Sequence, residues 1–253
     1  MKQKLIKIGL VFSVLCIPTI SANGQNTPEK SSGQFPHMVI GITGGFSSPS
    51  GNYTSTDYKD PKSGFAGSGT NFGATATWFL NKNFGISALV SYHSYSFQGI
   101  GNISKGFQED FFTDSANALS KGGHHTVNIL VGPYYSLPLS DKFSVDFRAL
   151  IGVTDATLAG WDVILTDGGI THPALTQDVA HAVTFGMQAG VGLRYNINSS
   201  WAIMLNGDYF YSKPNFSIAN EDRNANVGRK ITSYNEAIAV VNVNFTLAYQ
   251  LWR

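Results

Sequence analysis

The chain has 253 residues and a formal net charge of +1, from 17 Lys and Arg against 16 Asp and Glu. Charged residues make up 13% of it, against about 25% in an average soluble domain, and aromatics another 13%. This balance offers no basic field for nucleic acid, and a single cysteine, Cys16, excludes a disulfide framework.

Lys2, Lys4 and Lys7 precede an apolar run from Ile8 to Ile20, and Ala22, Asn23 and Gly24 supply small residues for cleavage. Residues 1–24 therefore read as a secretory signal peptide. The run is shorter than the roughly 20 residues of a helical span, and no later segment is longer, which excludes a helical membrane protein. Cys16 follows Leu15, where a lipoprotein signal wants a small residue, and cleavage after Gly24 leaves a mature chain without thiols. Residues 25–37, with Pro28, Ser31, Ser32, Gly33 and Pro36, lack periodicity and read as a flexible periplasmic leader.

From Met38 onward, apolar residues alternate with small or polar ones. The first strand sets Ile40, Ile42 and Phe46 opposite Val39, Gly41, Thr43, Gly45 and Ser47. In the second, Phe72, Ala74, Ala76, Trp78 and Leu80 oppose Asn71, Gly73, Thr75, Thr77 and Phe79. A tight turn at Asn81, Lys82 and Asn83 leads to the third, where Phe84, Ile86, Ala88, Val90 and Tyr92 oppose Gly85, Ser87, Leu89, Ser91 and His93. The fourth carries Val127, Ile129, Val131, Pro133 and Tyr135 outward, with Pro133 a blemish because proline removes a ladder donor.

After a turn at Pro138 to Lys142, the fifth strand turns Phe143, Val145, Phe147, Ala149, Ile151 and Val153 outward and Ser144, Asp146, Arg148, Leu150, Gly152 and Thr154 inward. The sixth is the clearest: Val183, Phe185, Met187, Ala189, Val191, Leu193 and Tyr195 alternate with Thr184, Gly186, Gln188, Gly190, Gly192, Arg194 and Asn196. The seventh places Trp201, Ile203, Leu205, Tyr209 and Tyr211 against Ala202, Met204, Asn206, Asp208 and Phe210. The eighth places Val241, Val243, Phe245, Leu247, Tyr249 and Leu251 against Val240, Asn242, Asn244, Thr246, Ala248 and Gln250.

Soluble antiparallel strands alternate too, but usually stop at about five or six residues. A strand crossing a bilayer needs about 9–11, and only a closed barrel leaves no unpaired edge in hydrocarbon. The expected fold is therefore all-β: an eight-stranded antiparallel up-and-down transmembrane barrel over residues 38–253. Short turns fall at one end, and the long connections 48–68, 98–122, 156–179 and 212–233 at the other, which places the turns in the periplasm and the loops outside the cell. None of the outward positions named is Asp, Glu, Lys or Arg, and Trp78, Phe84, Tyr135, Phe143, Tyr195, Trp201 and Tyr249 form an expected aromatic girdle near the turn ends.

The stretch Gly44-Gly45-Phe46-Ser47-Ser48-Pro49-Ser50-Gly51-Asn52-Tyr53 is similar to the opening strand and Pro-x-Gly turn of a known family. With the strands in place, residues 38–253 resemble the porin-like outer-membrane β-barrel domain family abundant in Bacteroidota, related in architecture to the small OmpA and OmpX barrels. The resemblance implies a barrel in the outer membrane of a Gram-negative bacterium and specifies no activity. The family commonly ends on an outward aromatic, whereas here Trp252 is followed by Arg253. An OmpA-like peptidoglycan-binding domain is not expected.

Asp146, Arg148, Arg194 and Asp208 all face inward, with His93, and are expected to form a polar network across the lumen. An eight-stranded barrel is just wide enough for side chains to fill it, so this network plugs the barrel; lumen glycines at 152, 186, 190 and 192 make room for the arginines or leave a narrow water path. Some small outer-membrane barrels act on lipids through outward Ser and His. Here His93 and Ser94 point to opposite faces, and neither His125 nor His181 has a serine two positions on, so no catalytic residue is expected. His93 and His124 lack a third ligand, and Asp155, Asp162 and Asp167 with Gly168 and Gly169 do not match a calcium loop, so no metal or cofactor is expected. The segment from Glu109 to Leu119 is expected as a short amphipathic helix, its Phe111, Phe112 and Leu119 covering the barrel mouth or meeting a partner.

The expected function is a non-enzymatic barrel with a surface-binding or envelope-structural role. A narrow porin-type channel is the alternative, and a lipid-modifying enzyme a third reading. Expected partners are outer-membrane lipid and lipopolysaccharide, the barrel assembly machinery, and an extracellular ligand at the loops.

Overall fold

The computed structural model describes residues 35–60, 62–222 and 227–252, with the backbone alone at 222 and 227–229. The expected signal peptide, residues 1–24, and residues 25–34 of the expected leader lie outside this range. In chain order the elements are β1 (Met38–Ser50), a 3-10 turn (Gly51–Thr54), β2 (Ala66–Phe79), β3 (Phe84–Phe97), α1 (Ile100–Phe111), β4 (Ser115–Lys121), β5 (His124–Pro138) and β6 (Phe143–Leu158). There follow β7 (Gly160–Asp167), β8 (Ile170–Gln177), β9 (Ala180–Asn196), β10 (Trp201–Ser212), β11 (Asn215–Asp222), β12 (Val227–Asn235) and β13 (Ile238–Leu251).

Eight of these strands close an antiparallel barrel in the order β1-β13-β10-β9-β6-β5-β3-β2, with β2 returning to β1. Met38 is the seam, paired with Leu251 on one side and Trp78 on the other. Burial alternates residue by residue along these strands, because the pleat sends one set of side chains to the lumen and the other outward. A one-residue slip would put Asn242, Asn244 and Thr246 on the outside and Val243 and Phe245 in the lumen, so the pattern itself fixes the register.

Three short turns are each held by a polar side chain that accepts backbone N–H groups. Asn81 Oδ1 takes those of Asn83 and Phe84, Ser140 Oγ that of Phe143, and Asn198 Oδ1 those of Ser200 and Trp201. Pro133 is absorbed without a shift. Toward β6 the pairing lapses at Gly132 and Pro133 and resumes at Tyr134 opposite Arg148 in unbroken register.

At the loop end the structure corrects the sequence expectation. Three of the four connections build a second, five-stranded sheet in the order β12-β11-β8-β7-β4. The two hairpins join where Asn220, Glu221 and Asp222 of β11 meet Gln177, Thr176 and Leu175 of β8. The helix expected at 109–119 instead ends at Phe111, and Phe112 turns the chain with φ 53°, so that Ser115 to Leu119 pair with β7. Tertiary capture of the backbone overrides the local helical pattern here. Helix α1 covers the free edge of β4: Ser104 Oγ accepts the Ala118 N–H at 2.9 Å, and Gln108 Nε2 donates to the Asp114 carbonyl at 2.8 Å. Phe65, Ile103, Ala118, Val163, Leu165 and Ala174 pack as a core between helix and sheet.

Candidate functional site

The lumen is filled in three layers. Nearest the turns, Val39, Phe79, Tyr134, Ala202, Met204 and Ala248 form an apolar cluster. The middle is polar and holds Arg148, Asp208 and His93, while Arg194 and Asp146 stand against the turn-end cluster, Arg194 over the Phe79 ring at 5.9 Å. At the loop end a second apolar cluster includes Tyr53, Tyr95, Phe210, Phe216, Ile238 and Val240.

Arg148 and Asp208 stand on strands that are not neighbours, with β9 between them. They meet because the intervening residue on their rung is Gly190, paired to Arg148 on one side and to Asp208 on the other. Over that gap Arg148 Nε donates to Asp208 Oδ1 at 2.7 Å and its Nη2 to Oδ2 at 2.6 Å, a two-point contact. Asn244 Nδ2 adds a third donor to Oδ2 at 3.0 Å. Asp146 lies 3.3 Å from Arg194 Nη2, which also donates to Ser136 Oγ at 2.6 Å. All four charged groups are nearly inaccessible, so each charge is matched by an opposite one out of water.

His93 lies outside the ion pairs, with one ring nitrogen 3.1 Å from Ser47 Oγ and the other 3.1 Å from Ser91 Oγ. Ser47 continues to Asn242 and Asn71. Gly190 makes room for the Arg148 contact, and the lumen glycines also clear space for the partner side chains. A Cβ on Gly190 would meet Asp208, one on Gly192 would meet Asn206, and one on Gly186 would meet Thr154. Between Thr43, Asn71, His93, Arg148 and Asn242 a void of about 10 Å³ remains, roughly one water molecule in size.

Tyr53 closes the loop end. The 3-10 turn carries its ring into the mouth with no exposed surface, edge-on to Tyr95 at 5.7 Å and to His124 at 5.8 Å. His124 is stacked on Phe97 at 5.4 Å and accepts the Ala159 N–H. The expected mouth cover, Phe111, Phe112 and Leu119, is instead turned to solvent; Phe112 is 91% exposed. The plugging role of Tyr53 is not legible from alternation, because the residue sits in a polar connection.

Outside, the girdle residues form cross-strand pairs: Phe84 with Tyr135, Phe143 with Tyr195 at 5.0 Å, and Trp201 with Tyr249 at 5.1 Å between ring centres. Trp78 neighbours His37 at the same end. Phe46, Phe72, Tyr92, Phe185 and Tyr209, each outward in the sequence reading but not grouped there, are also exposed and make a second outward aromatic set. Trp201 to Tyr209 spans roughly 26 Å of strand at about 3.3 Å per residue, or roughly 20 Å of height at a tilt of about 40°, most of an apolar band about 25 Å tall. Beyond this set, register places Ser94 of β3 directly opposite His125 of β5 on the outward face. Within-strand spacing could not show that pair. Among the described residues no group of three His, Cys, Asp or Glu is placed to hold a metal.

Three solved structures with similar chain traces are distant in sequence. Neisserial surface protein A is 9% identical with a TM-score of 0.42, the alignment covering 85% of this chain and 97% of that one. A major outer membrane protein from Thermus thermophilus is 13% identical with a TM-score of 0.46, covering 85% and 99%. Ail, the attachment invasion locus protein of Yersinia pestis, is 12% identical with a TM-score of 0.35, covering 85% and 98%. No curated protein matches the sequence. The family model of the outer membrane protein beta-barrel domain matches residues 12–245, nearly the whole chain and all but the last residues of the barrel, and the protein belongs to that family.

Proposed function

We propose that this protein is a non-enzymatic, non-conducting outer-membrane barrel whose loop-end sheet is the working surface, in surface binding or in envelope structure. The observation that carries this reading is the outer sheet itself. Three connections fold into one five-stranded sheet, and at its tip Phe112 and Ile170 are 91% and 72% exposed. Asp114 Oδ2 ties the tip together by accepting the Gly168 N–H at 2.9 Å. Ordered loops bearing exposed apolar side chains on a rigid scaffold are a common way to carry recognition. Lipid and lipopolysaccharide meet the outward apolar faces in this reading, and the barrel assembly machinery inserts them.

The test is the conductance of the refolded mature protein in a planar bilayer, with Arg148→Ala and Arg194→Ala as controls. A silent, folded barrel is expected. Reproducible openings altered by either substitution would favour the second reading, a narrow channel, for which the polar middle of the lumen speaks. The opposed Ser94 and His125 speak for lipid chemistry, but no hydrogen bond joins them. Unchanged lipid species on overexpression remove that reading.

A further inference from the structure

Glu236 occupies the junction where β12 hands the chain to β13. Its backbone N–H is bonded to the Pro214 carbonyl at 3.0 Å, and the residue is 1% exposed. Neither carboxyl oxygen has a hydrogen-bond partner among the described residues. The Tyr53 hydroxyl, inside the plug, is also unpartnered. Among the described residues, the titratable groups that act electrostatically on this site are Tyr53 of the 3-10 turn, Tyr95 of β3, Tyr234 of β12 and Asp60 of the first connection, none of them cationic, and the His124 ring of β5 faces Tyr53 at 5.8 Å. Glu236 therefore differs from Asp146 and Asp208, each of which faces an arginine. A buried carboxylate without a counter-ion or donor is costly, and protonation is the usual relief.

We propose that Glu236 is a proton-operated latch on the barrel mouth: as the neutral acid it stays within the apolar plug around Tyr53, and on ionisation it withdraws to water and loosens the 51–65 segment. The proposal rests on the closed mouth and is independent of what the outer sheet binds. The position of the residue is what makes it a latch. It links the hairpin of β11 and β12 to β13, whose neighbour β1 leads directly into the 3-10 turn that carries Tyr53.

Burial, reinforced by the negative charge of Asp60, pushes the Glu236 carboxyl up from 4.5 to about 7. In the open form, exposed to water, the group has its ordinary value. The closed form thus holds the proton more tightly; its stability is fully present at pH below 4.5 and is lost as pH rises through about 7. From about pH 4.5 to about pH 7.5 the closed-to-open ratio falls on the order of a hundredfold.

Amide hydrogen exchange of the folded protein in lipid nanodiscs tests this, with each rate divided by the intrinsic rate at its pH. Protection of residues 51–65 is expected to fall on the order of a hundredfold from about pH 4.5 to about pH 7.5, while the barrel strands stay unchanged. Glu236→Gln, close in shape and always neutral, is expected to keep the segment protected at both values. Asp60→Asn removes the neighbouring negative charge, so Glu236 ionises at a lower pH within the closed form and the fall in protection becomes smaller. Protection that ignores pH, or a pH response that persists in Glu236→Gln, overturns the latch alone. An unprotected 51–65 segment at both values overturns the latch together with the plug it acts on.

Discussion

On the rung that joins Arg148, Gly190 and Asp208, a Cβ added to Gly190 would lie 1.9 Å from Asp208 Oδ1. The carboxylate cannot retreat without giving up Arg148, which grips both its oxygens. Gly190→Ala is therefore expected to destabilise the barrel by about 1–3 kcal/mol, through crowding at a site with no slack. Arg148→Ala leaves Asp208 buried without its counter-ion and is expected to cost about 3–5 kcal/mol. Urea unfolding of the refolded protein in lipid vesicles measures both. Replacing Arg148 and Asp208 together by Ala and Asn is expected to recover part of the loss, since the penalty comes from the orphaned charge more than from the missing bond. Inward placement of Asp146, Arg148, Arg194 and Asp208 can be read from strand parity. Which acid takes which arginine cannot, because that depends on the stagger between strands.

Helix α1 and the first connection meet where Gly106 lies under the Tyr58 ring; a Cβ on Gly106 would come within 2.2 Å of it. The Tyr58 hydroxyl bonds Asp110 at 2.5 Å, and that hydrogen bond, followed by the one from Lys59, holds the Asp110 carboxyl below its usual value. Gly106→Leu is expected to undock the first connection from the helix, read as faster proteolytic cleavage within residues 51–65 while the barrel stays intact. Phe112 ends the helix at φ 53°, a conformation that is strained for a residue with a Cβ. Phe112→Gly is expected to raise the stability of the loop-end sheet by about 1 kcal/mol, read by hydrogen exchange of β4, and to remove the most exposed apolar side chain of the tip. The barrel strands are legible in the sequence because each runs for twelve residues or more with one face in lipid and the other in the lumen. The loop-end strands are short, and Pro173 interrupts β8, so their alternation hardly rises above that of an irregular connection.

As a whole, the molecule excludes charge from the apolar band between its aromatic sets. Leu205, outward on the middle of β10 and 57% exposed, sits opposite Leu193 and Phe245. Leu205→Arg is expected to cost about 2–4 kcal/mol in lipid vesicles, and the same change at Trp201, near the turn end, only about 0–1 kcal/mol from charge burial. A similar cost at both positions would be incompatible with this placement of the band.

The sequence by itself determined the barrel, its strand count, the face each residue takes and the compartment, because a two-residue period repeated over a membrane-length strand has one physical solution in lipid. Tertiary structure alone decided the pairing of lumen charges, the second sheet and the choice of Tyr53 as plug. Each of these depends on contacts between segments far apart in the chain, whose mutual stagger no local period records.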